Sequence, residues 1–289
     1  MIRYFLLITV FLLVPLMGCQ HSIKTNAPSS RSIAMLHIAP RLANELGDLD
    51  ANTQTIATAM ALAKSQGADW VMTPELALTG YKFKSYLGTQ WIKSGVDIWT
   101  QQLQKVADDL DLVLFLSHLE QDPVTFNRHN TLFVIDRSGV IIGRHRKLNT
   151  LPGSESWSTP GSIVAPIVID NINVGLLICA DAWPQKHAQS LADQGADILL
   201  SSANWAPGLY GPGASWESRV TETGLTLMVN NRTGIEDDLD MNIAKSVVVL
   251  PIANDDQRVF EHQSQNNVLL MLDYDFRDQS LIGSRIIGL

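Results

Sequence analysis

Residues 173–181 read NVGLLICAD, and residues 185–201 continue QKHAQSLADQGADILLS. The first stretch is a short apolar run, as expected of a strand buried in a sheet. The second reads as a helix over 185–194 leading to another strand over 197–201. Strand, helix and strand in that order form the repeating unit of an α/β protein. Cys179 stands where the first of these strands ends, and strand ends are where α/β proteins gather their chemistry.

The alternation extends outward on both sides. Residues 32–39 alternate apolar and polar as a strand, and 49–65 carry a helical stripe of Ile56, Met60, Leu62 and Ala63 that Gly67 stops. Residues 69–73 form a short buried strand ending at Pro74. A helix over 91–110 and a strand over 112–118 follow, then a strand pair at 131–136 and 140–145 around the turn Arg137-Ser138-Gly139. A strand at 163–169 meets the run at 174–179 around Asp170-Asn171. Downstream come a helix at 215–223 and strands at 225–230, 246–250 and 268–272. With no internal repeat and no second linker, residues 33–289 read as one α/β domain of sheets covered by helices.

Composition agrees with a globular body. The chain has 289 residues, 46% apolar and 17% charged, which excludes a wholly disordered, collagen-like or disulfide-dense chain. Its 29 acidic and 21 basic residues give a formal charge of −8 with no block of Lys and Arg, so a nucleic-acid partner is not expected. Seven scattered histidines and two cysteines show no metal-ligand spacing, and no metal or other cofactor is expected.

The amino end reads as an address. Residues 1–19 are MIRYFLLITVFLLVPLMGC: Arg3, then an apolar run from Tyr4 to Leu16, then Gly18 before Cys19. The run is short for a membrane span, which takes about 20 apolar residues. Its ending, Leu16-Met17-Gly18-Cys19, resembles a bacterial lipobox. That resemblance implies a signal peptide over 1–18, cleavage before Cys19, and a diacylglyceryl group on its sulfur. Such a protein belongs to the cell envelope and is held at a membrane by the lipid. Gln20 rather than Asp follows, which favours the outer membrane facing the periplasm. Residues 19–32 then serve as a polar tether, which as a coil spans roughly 20 Å. With Cys19 lipidated, Cys179 has no intramolecular thiol partner.

Three reactive side chains stand where strands end: Glu75 after DWVMT and Pro74, Lys147 after VIIGRHR, and Cys179. A thiol, a carboxylate and a cation together make a nucleophile set, although spacing alone does not bring them together. The segments around them resemble those of the nitrilase superfamily of carbon–nitrogen hydrolases. These are Thr73-Pro74-Glu75-Leu76-Ala77-Leu78-Thr79-Gly80-Tyr81, then Gly143-Arg144-His145-Arg146-Lys147-Leu148, then Val174-Gly175-Leu176-Leu177-Ile178-Cys179-Ala180-Asp181. The family patterns PE-x-x-x-x-GY, (Y/H)-R-K and G-x-x-x-C-x-D occur in order. Gly195 to Leu200, Asn204-Trp205 and Asn231-Arg232-Thr233-Gly234 match as well.

The resemblance implies a four-layer αββα sandwich that commonly dimerises through helices, here as a homodimer. It implies Cys179 as nucleophile, Glu75 as general base, and Lys147 stabilising the oxyanion with the backbone N–H of Ala180. Lys147 is also expected to lower the pKa of the thiol. Glu155, eight residues beyond Lys147, is expected to hold that cation in place. Tyr81, Trp157, Trp183 and Trp205 are candidates for lining the substrate pocket, and the loop 205–216 (WAPGLYGPGASW) for shaping its mouth. Asp181 is expected to be structural, and the Cys–His alternatives through His145 or His187 leave the Glu and Lys segments without a use.

The expected reaction is hydrolysis of a non-peptide C–N bond in a small amide or carbamoyl amine, less readily a nitrile. An acyltransferase using the same thioester and a non-enzymatic binding protein on the same scaffold are the alternatives. Ala180 stands where many relatives carry an aromatic residue, and Trp183 further alters the volume beside the thiol, which leaves the substrate open.

Overall fold

Strand β1 (Ser30–His37) begins the ordered body of the computed structural model, which describes residues 29–252 and 257–289. Residues 1–28, which hold the expected signal peptide, Cys19 and most of the expected tether, lie outside the described residues. Ser30 to Ser32, at the end of the expected tether, already lie in β1. They pair with Asp275, Tyr274 and Asp273, a tertiary pairing that local polarity does not signal.

After β1 come helix α1 (Leu46–Ser65), strand β2 (Trp70–Met72), helix α2 (Ile98–Leu110) and strands β3 (Val113–Gln121), β4 (Arg128–Ile135) and β5 (Ile141–Arg146). The second half holds β6 (Ile167–Ile169), β7 (Ile172–Ile178), α3 (Gln185–Asp193), β8 (Ile198–Ala203), α4 (Ser215–Thr223) and β9 (Leu227–Asn231). A small hairpin, β10 (Ile235–Glu236) and β11 (Leu239–Asp240), precedes β12 (Ser246–Val249), β13 (Arg258–His262), β14 (Val268–Asp275) and β15 (Ser280–Gly288). One sheet has the order β15-β14-β1-β2-β3-β4-β5 and the other β13-β12-β9-β8-β7-β6.

The two sheets pack face to face. Ile33, Met35, Trp70, Met72, Val113 and Phe115 from the first meet Leu176, Ile178, Leu200 and Val229 from the second. On the outside of the first sheet, Ala34, Leu36, Val71 and Leu114 bury against Leu49, Ile56 and Met60 of α1 and Leu103 of α2. Ala188 and Leu191 of α3, with Trp216 and Val220 of α4, cover the second sheet. The result is the expected αββα sandwich in one domain. Strands in the middle of each sheet are apolar on both faces because both faces are covered.

Several boundaries differ from the sequence expectation. The helix expected over 91–110 starts only at Ile98, because Gly95 sits at φ +87° and the Asp97 side chain caps the helix by accepting from Thr100 N at 2.8 Å. The strand expected over 163–169 is confined to Ile167–Ile169, since Pro166 supplies no donor to a ladder. Strands β13 and β15 are edge strands, β13 with alternating exposure and β15 largely exposed with its apolar residues split by Gly283-Ser284-Arg285, so neither registers as an apolar run.

The sandwich has two distinct ends. At the starting end of β1, Arg31 Nε and Trp70 Nε1 both donate to Asp170, in the turn between β6 and β7. At the finishing end, Ser202 Oγ donates to Thr73 O at 2.8 Å and Asn230 Nδ2 to Met72 O at 2.7 Å. From Ser30 to His37 the strand rises about 23 Å, at roughly 3.3 Å for each step.

His37 closes β1 at that finishing end. It is wholly buried, with Nδ1 2.9 Å from Asn231 O and 3.0 Å from Ser246 Oγ, and its ring stands edge-on to His262. Burial, and then the neighbouring His262, pull its pKa down to about 4 from 6.5. The unfolded chain therefore binds a proton near the ordinary value that the native state refuses. Stability from this residue is intact above that value and declines as pH falls toward the folded value, by about 3 kcal/mol in all. His37→Gln is expected to unfold at lower urea concentration at neutral pH but to lose less on acidification. Equal acid sensitivity in both proteins would assign the loss elsewhere.

Candidate active site

Glu75, Lys147 and Cys179 each follow a strand that ends at the finishing end of the sandwich. Beyond β2, Thr73 Oγ1 donates to Phe115 O and accepts from Ser117 N, which turns the chain at Pro74. Leu76 N donates to Ser117 Oγ, and Glu75 is left wholly buried. Gly80 closes the segment at φ +71°, where a Cβ would lie 2.7 Å from a Glu236 carboxylate oxygen. Lys147 continues the pairing beyond β5, its N–H donating to Asn130 O at 2.8 Å. Glu155 comes from a short loop that it fastens itself, Oε2 accepting from Leu151 N at 2.7 Å.

These groups meet in one closed arrangement. Lys147 Nζ donates to Glu75 Oε1 at 2.8 Å and to Glu155 Oε1 at 2.7 Å. Asn130 Nδ2 donates to the same two oxygens, at 2.8 Å and 3.0 Å. An ammonium and an amide thus bridge two carboxylates side by side, all four side chains at 1% exposure or less. The other oxygen of Glu75 accepts from Asn204 N at 3.1 Å.

Cys179 opens a 3₁₀ turn (Cys179–Ala182) after β7 and is itself at φ +48°. Few non-glycine residues hold that conformation, and those that do need surroundings that enforce it. Gly175 lets α3 approach the strand, since a Cβ there would stand 3.2 Å from Leu191 and 2.7 Å from Leu199. Asp181 ties the turn to the lysine loop: one carboxylate oxygen accepts from Leu148 N and Asn149 N, the other from Ile178 N and His145 Nε2. Asp181 is therefore structural, as expected. His145 is bound to Asp181, His187 Nδ1 faces Asp181 O, and the sulfur faces Asn204 O at 3.8 Å.

Burial, and then the charge of Glu75, push the Cys179 thiol well above its ordinary pKa, and Lys147 only partly opposes them. Lys147 does lower the thiol pKa, as expected, against the larger rise from burial and Glu75. Burial also raises the Glu75 carboxyl, with the charge of Glu155 adding to the rise and Lys147 working against it. Burial disfavours the Lys147 cation, but Glu75, Cys179 and Glu155 outweigh it and hold its pKa well above the usual lysine value.

The expected pocket residues divide. Tyr81 is nearly buried, its hydroxyl 3.1 Å from Ser154 Oγ, and burial raises its pKa within the combined field of Lys147, Glu155, Glu75 and Cys179. Trp183 N donates to Ala180 O, and its 38%-exposed side chain stands edge-on to buried Trp205 at 5.4 Å. Trp205 in turn donates from Nε1 to Tyr210 O in the loop 205–216. Trp157 packs edge-on against Phe83 in the core under α1 and α2, away from the tryptophan pair. Sequence reasoning missed Asn130 and gave Asn204 no role. Asn130 stands in the polar triplet His129-Asn130-Thr131 at the head of an apolar strand, the one available signal. Asn204 acts through its backbone, which no residue type announces. Among the described residues, no group of three or more His, Cys, Asp or Glu side chains is arranged to hold a metal ion.

Comparison with known proteins follows the same lines. Residues 32–251 match the family model for carbon-nitrogen hydrolase. A nitrilase from Pyrococcus abyssi is 30% identical over 196 residues, 66% of this chain and 72% of that one. A glutamine-dependent NAD(+) synthetase from Acinetobacter baylyi is 25% identical over 259 residues, 86% of this chain but 45% of that one, so this chain spans less than half of that relative. Among solved structures, an amidase from Nesterenkonia sp. AN1 superposes with a TM-score of 0.74 at 26% identity, covering 86% of this chain and 92% of that one. It is described with the acetamide moiety of fluoroacetamide added covalently at its active-site cysteine. The chain belongs to the carbon–nitrogen hydrolase family, enzymes that act on C–N bonds other than peptide bonds.

Proposed function

We propose that this enzyme hydrolyses a small neutral amide through a thioester on Cys179. The observation that carries the reading is the buried Glu75–Lys147–Glu155 group, electrostatically coupled to a thiol on an enforced turn. Glu75 takes the thiol proton as sulfur attacks the amide carbon. An ammonium has three protons. Lys147 commits donors to Glu75 and Glu155 and keeps one for the oxyanion, with Ala180 N–H as its second donor. Glu75 returns the proton to the leaving nitrogen as the C–N bond breaks. It then deprotonates water, which attacks the thioester and releases the acid. Glu155 and Asn130 hold Lys147 and Glu75 in place.

The relatives support an amide. The Nesterenkonia amidase is described in complex with acrylamide and with butyramide, and a Pseudomonas relative at 26% identity is an (R)-stereoselective amidase. The Trp183–Trp205 pair beside the nucleophile turn offers an uncharged wall for the acyl group. The test is a panel of acetamide, butyramide, carbamoyl amines and nitriles, following ammonia or amine release and the mass of Cys179. Turnover of amides with an acyl adduct on Cys179 is expected. An acylated amine product would establish transfer instead, and tight binding with no adduct would establish a binding protein.

We also propose lipid attachment at Cys19 in a bacterial envelope and homodimer formation through the helical layers. The lipobox-like ending and the family resemblance support these. The full-length protein is expected to partition into a detergent phase. Cys19→Ala is expected to abolish that, while unchanged partition would argue for an uncleaved anchor. Sedimentation of the body would show a single copy if the dimer is wrong.

A further inference from the structure

The last carbonyls of a helical turn have no partner within it. In the turn that begins at Cys179 they are held from a different element. Arg219 of α4 is 6% exposed, and its Nη1 donates to Ala182 O at 3.0 Å and to Trp183 O at 2.5 Å. Its Nε and Nη2 donate to the two carboxylate oxygens of Glu222, each at 2.7 Å. Two points of the guanidinium fork are thus locked on α4 and the third reaches into the turn.

The turn needs such a hold. Asp181 and Asn149 fasten its beginning to the lysine loop, through Ile178 N, Leu148 N, Asn149 N and Ala180 O. Arg219 fastens its end. Between the two lie Cys179, at φ +48°, and the N–H of Ala180. Trp183, whose carbonyl Arg219 grips, also leans its ring on Trp205.

We propose that Arg219, locked by Glu222, is a positioning residue for the hydrolysis: it holds the nucleophile turn so that the Cys179 sulfur faces Glu75 and Lys147 and the Ala180 N–H faces the oxyanion. The proposal rests on Cys179 as nucleophile. A tie that served stability alone would leave the chemistry of each folded molecule unchanged.

The experiment compares wild type with Arg219→Lys, Arg219→Ala and Glu222→Gln, with folding checked by circular dichroism and melting. One readout is kcat and KM for butyramide. The other needs no substrate: the rate at which iodoacetamide alkylates Cys179 across pH. There a C–S bond forms as the C–I bond breaks, iodide leaves, and the thiol proton passes to Glu75 and solvent. A sulfur turned out of the site leaves Glu75 and burial as well as Lys147, and since the first two outweigh the third at the native position, its alkylation profile moves to lower pH. Arg219→Ala is expected to lower kcat by about 10²-fold, the usual consequence of a displaced reacting group, with KM little changed. Arg219→Lys is expected to recover part of the rate, because an ammonium can reach one of the two carbonyls, and Glu222→Gln to fall between. If Arg219→Ala does not fold, the other two variants carry the test. Wild-type kcat and alkylation profile in both, with only the melting temperature lowered, would overturn the proposal. A wild-type thiol that neither reacts with iodoacetamide nor turns over any amide would overturn the catalytic reading itself, a different result.

Discussion

Cys179→Ser is expected to leave essentially no amide turnover, a loss on the order of 10⁴- to 10⁶-fold, while keeping the fold. Serine can adopt the φ of +48° that the turn imposes, and the side chain differs by one atom. The reaction does not survive the exchange. Glu75, though raised by burial, is a base suited to a thiol and far too weak to ionise a hydroxyl that lies still higher. The hydroxyl would also sit in a site 2% exposed, facing Asn204 O, so the cost to stability is about 1 kcal/mol or less. Turnover and thermal unfolding measured on the same preparation separate the two effects. Retained turnover in the folded variant would remove Cys179 from the mechanism.

Lys147→Met is expected to be inactive and also 3–5 kcal/mol less stable near neutral pH, about the cost of stranding a buried charge. The wild-type ammonium stands between two carboxylates whose side chains are wholly buried. Without it, Glu75 and Glu155 face each other with only the Asn130 amide between them. One of them must then take a proton for the native state to persist, and the Glu75 carboxyl, relieved of its opposing cation, is raised further. The sign follows: the variant is worst at neutral and alkaline pH and recovers toward wild type as pH falls and a proton is supplied. Urea unfolding near neutral and in mild acid checks this. Adding Glu155→Gln is expected to restore part of the stability and none of the activity. A single variant as stable as wild type at neutral pH would show that one carboxylate is already protonated in the native protein.

Much of the site was legible because its chemistry is tied to strand ends. Glu75, Lys147 and Cys179 each stand just beyond a strand, and the ordered resemblance of the segments around them, rather than their spacing, placed them in one site. Gly175 is explained by Leu191 pressing on its strand, and Gly80 by Glu236, so both glycines of the patterns have steric causes. What escaped reading depends on distance through space. Asn130 bridges residues 55 and 25 positions away. Arg219 acts on carbonyls 36 and 37 positions away, and Asn204 works through a peptide N–H. Lys147 lowers the thiol pKa as its place in the sequence suggested, but the net rise is set by full burial and by the carboxylates gathered at the same spot, which only the fold shows. Edge strands β13 and β15 escaped for the opposite reason, being partly to largely exposed and carrying no apolar run.

The first strand enters the body beside Arg31 and Asp170, and the thiol opens where that strand finishes. Any support that grips the chain by its leading residues, whether a bilayer, a bead or a fused carrier, therefore meets the inert pole.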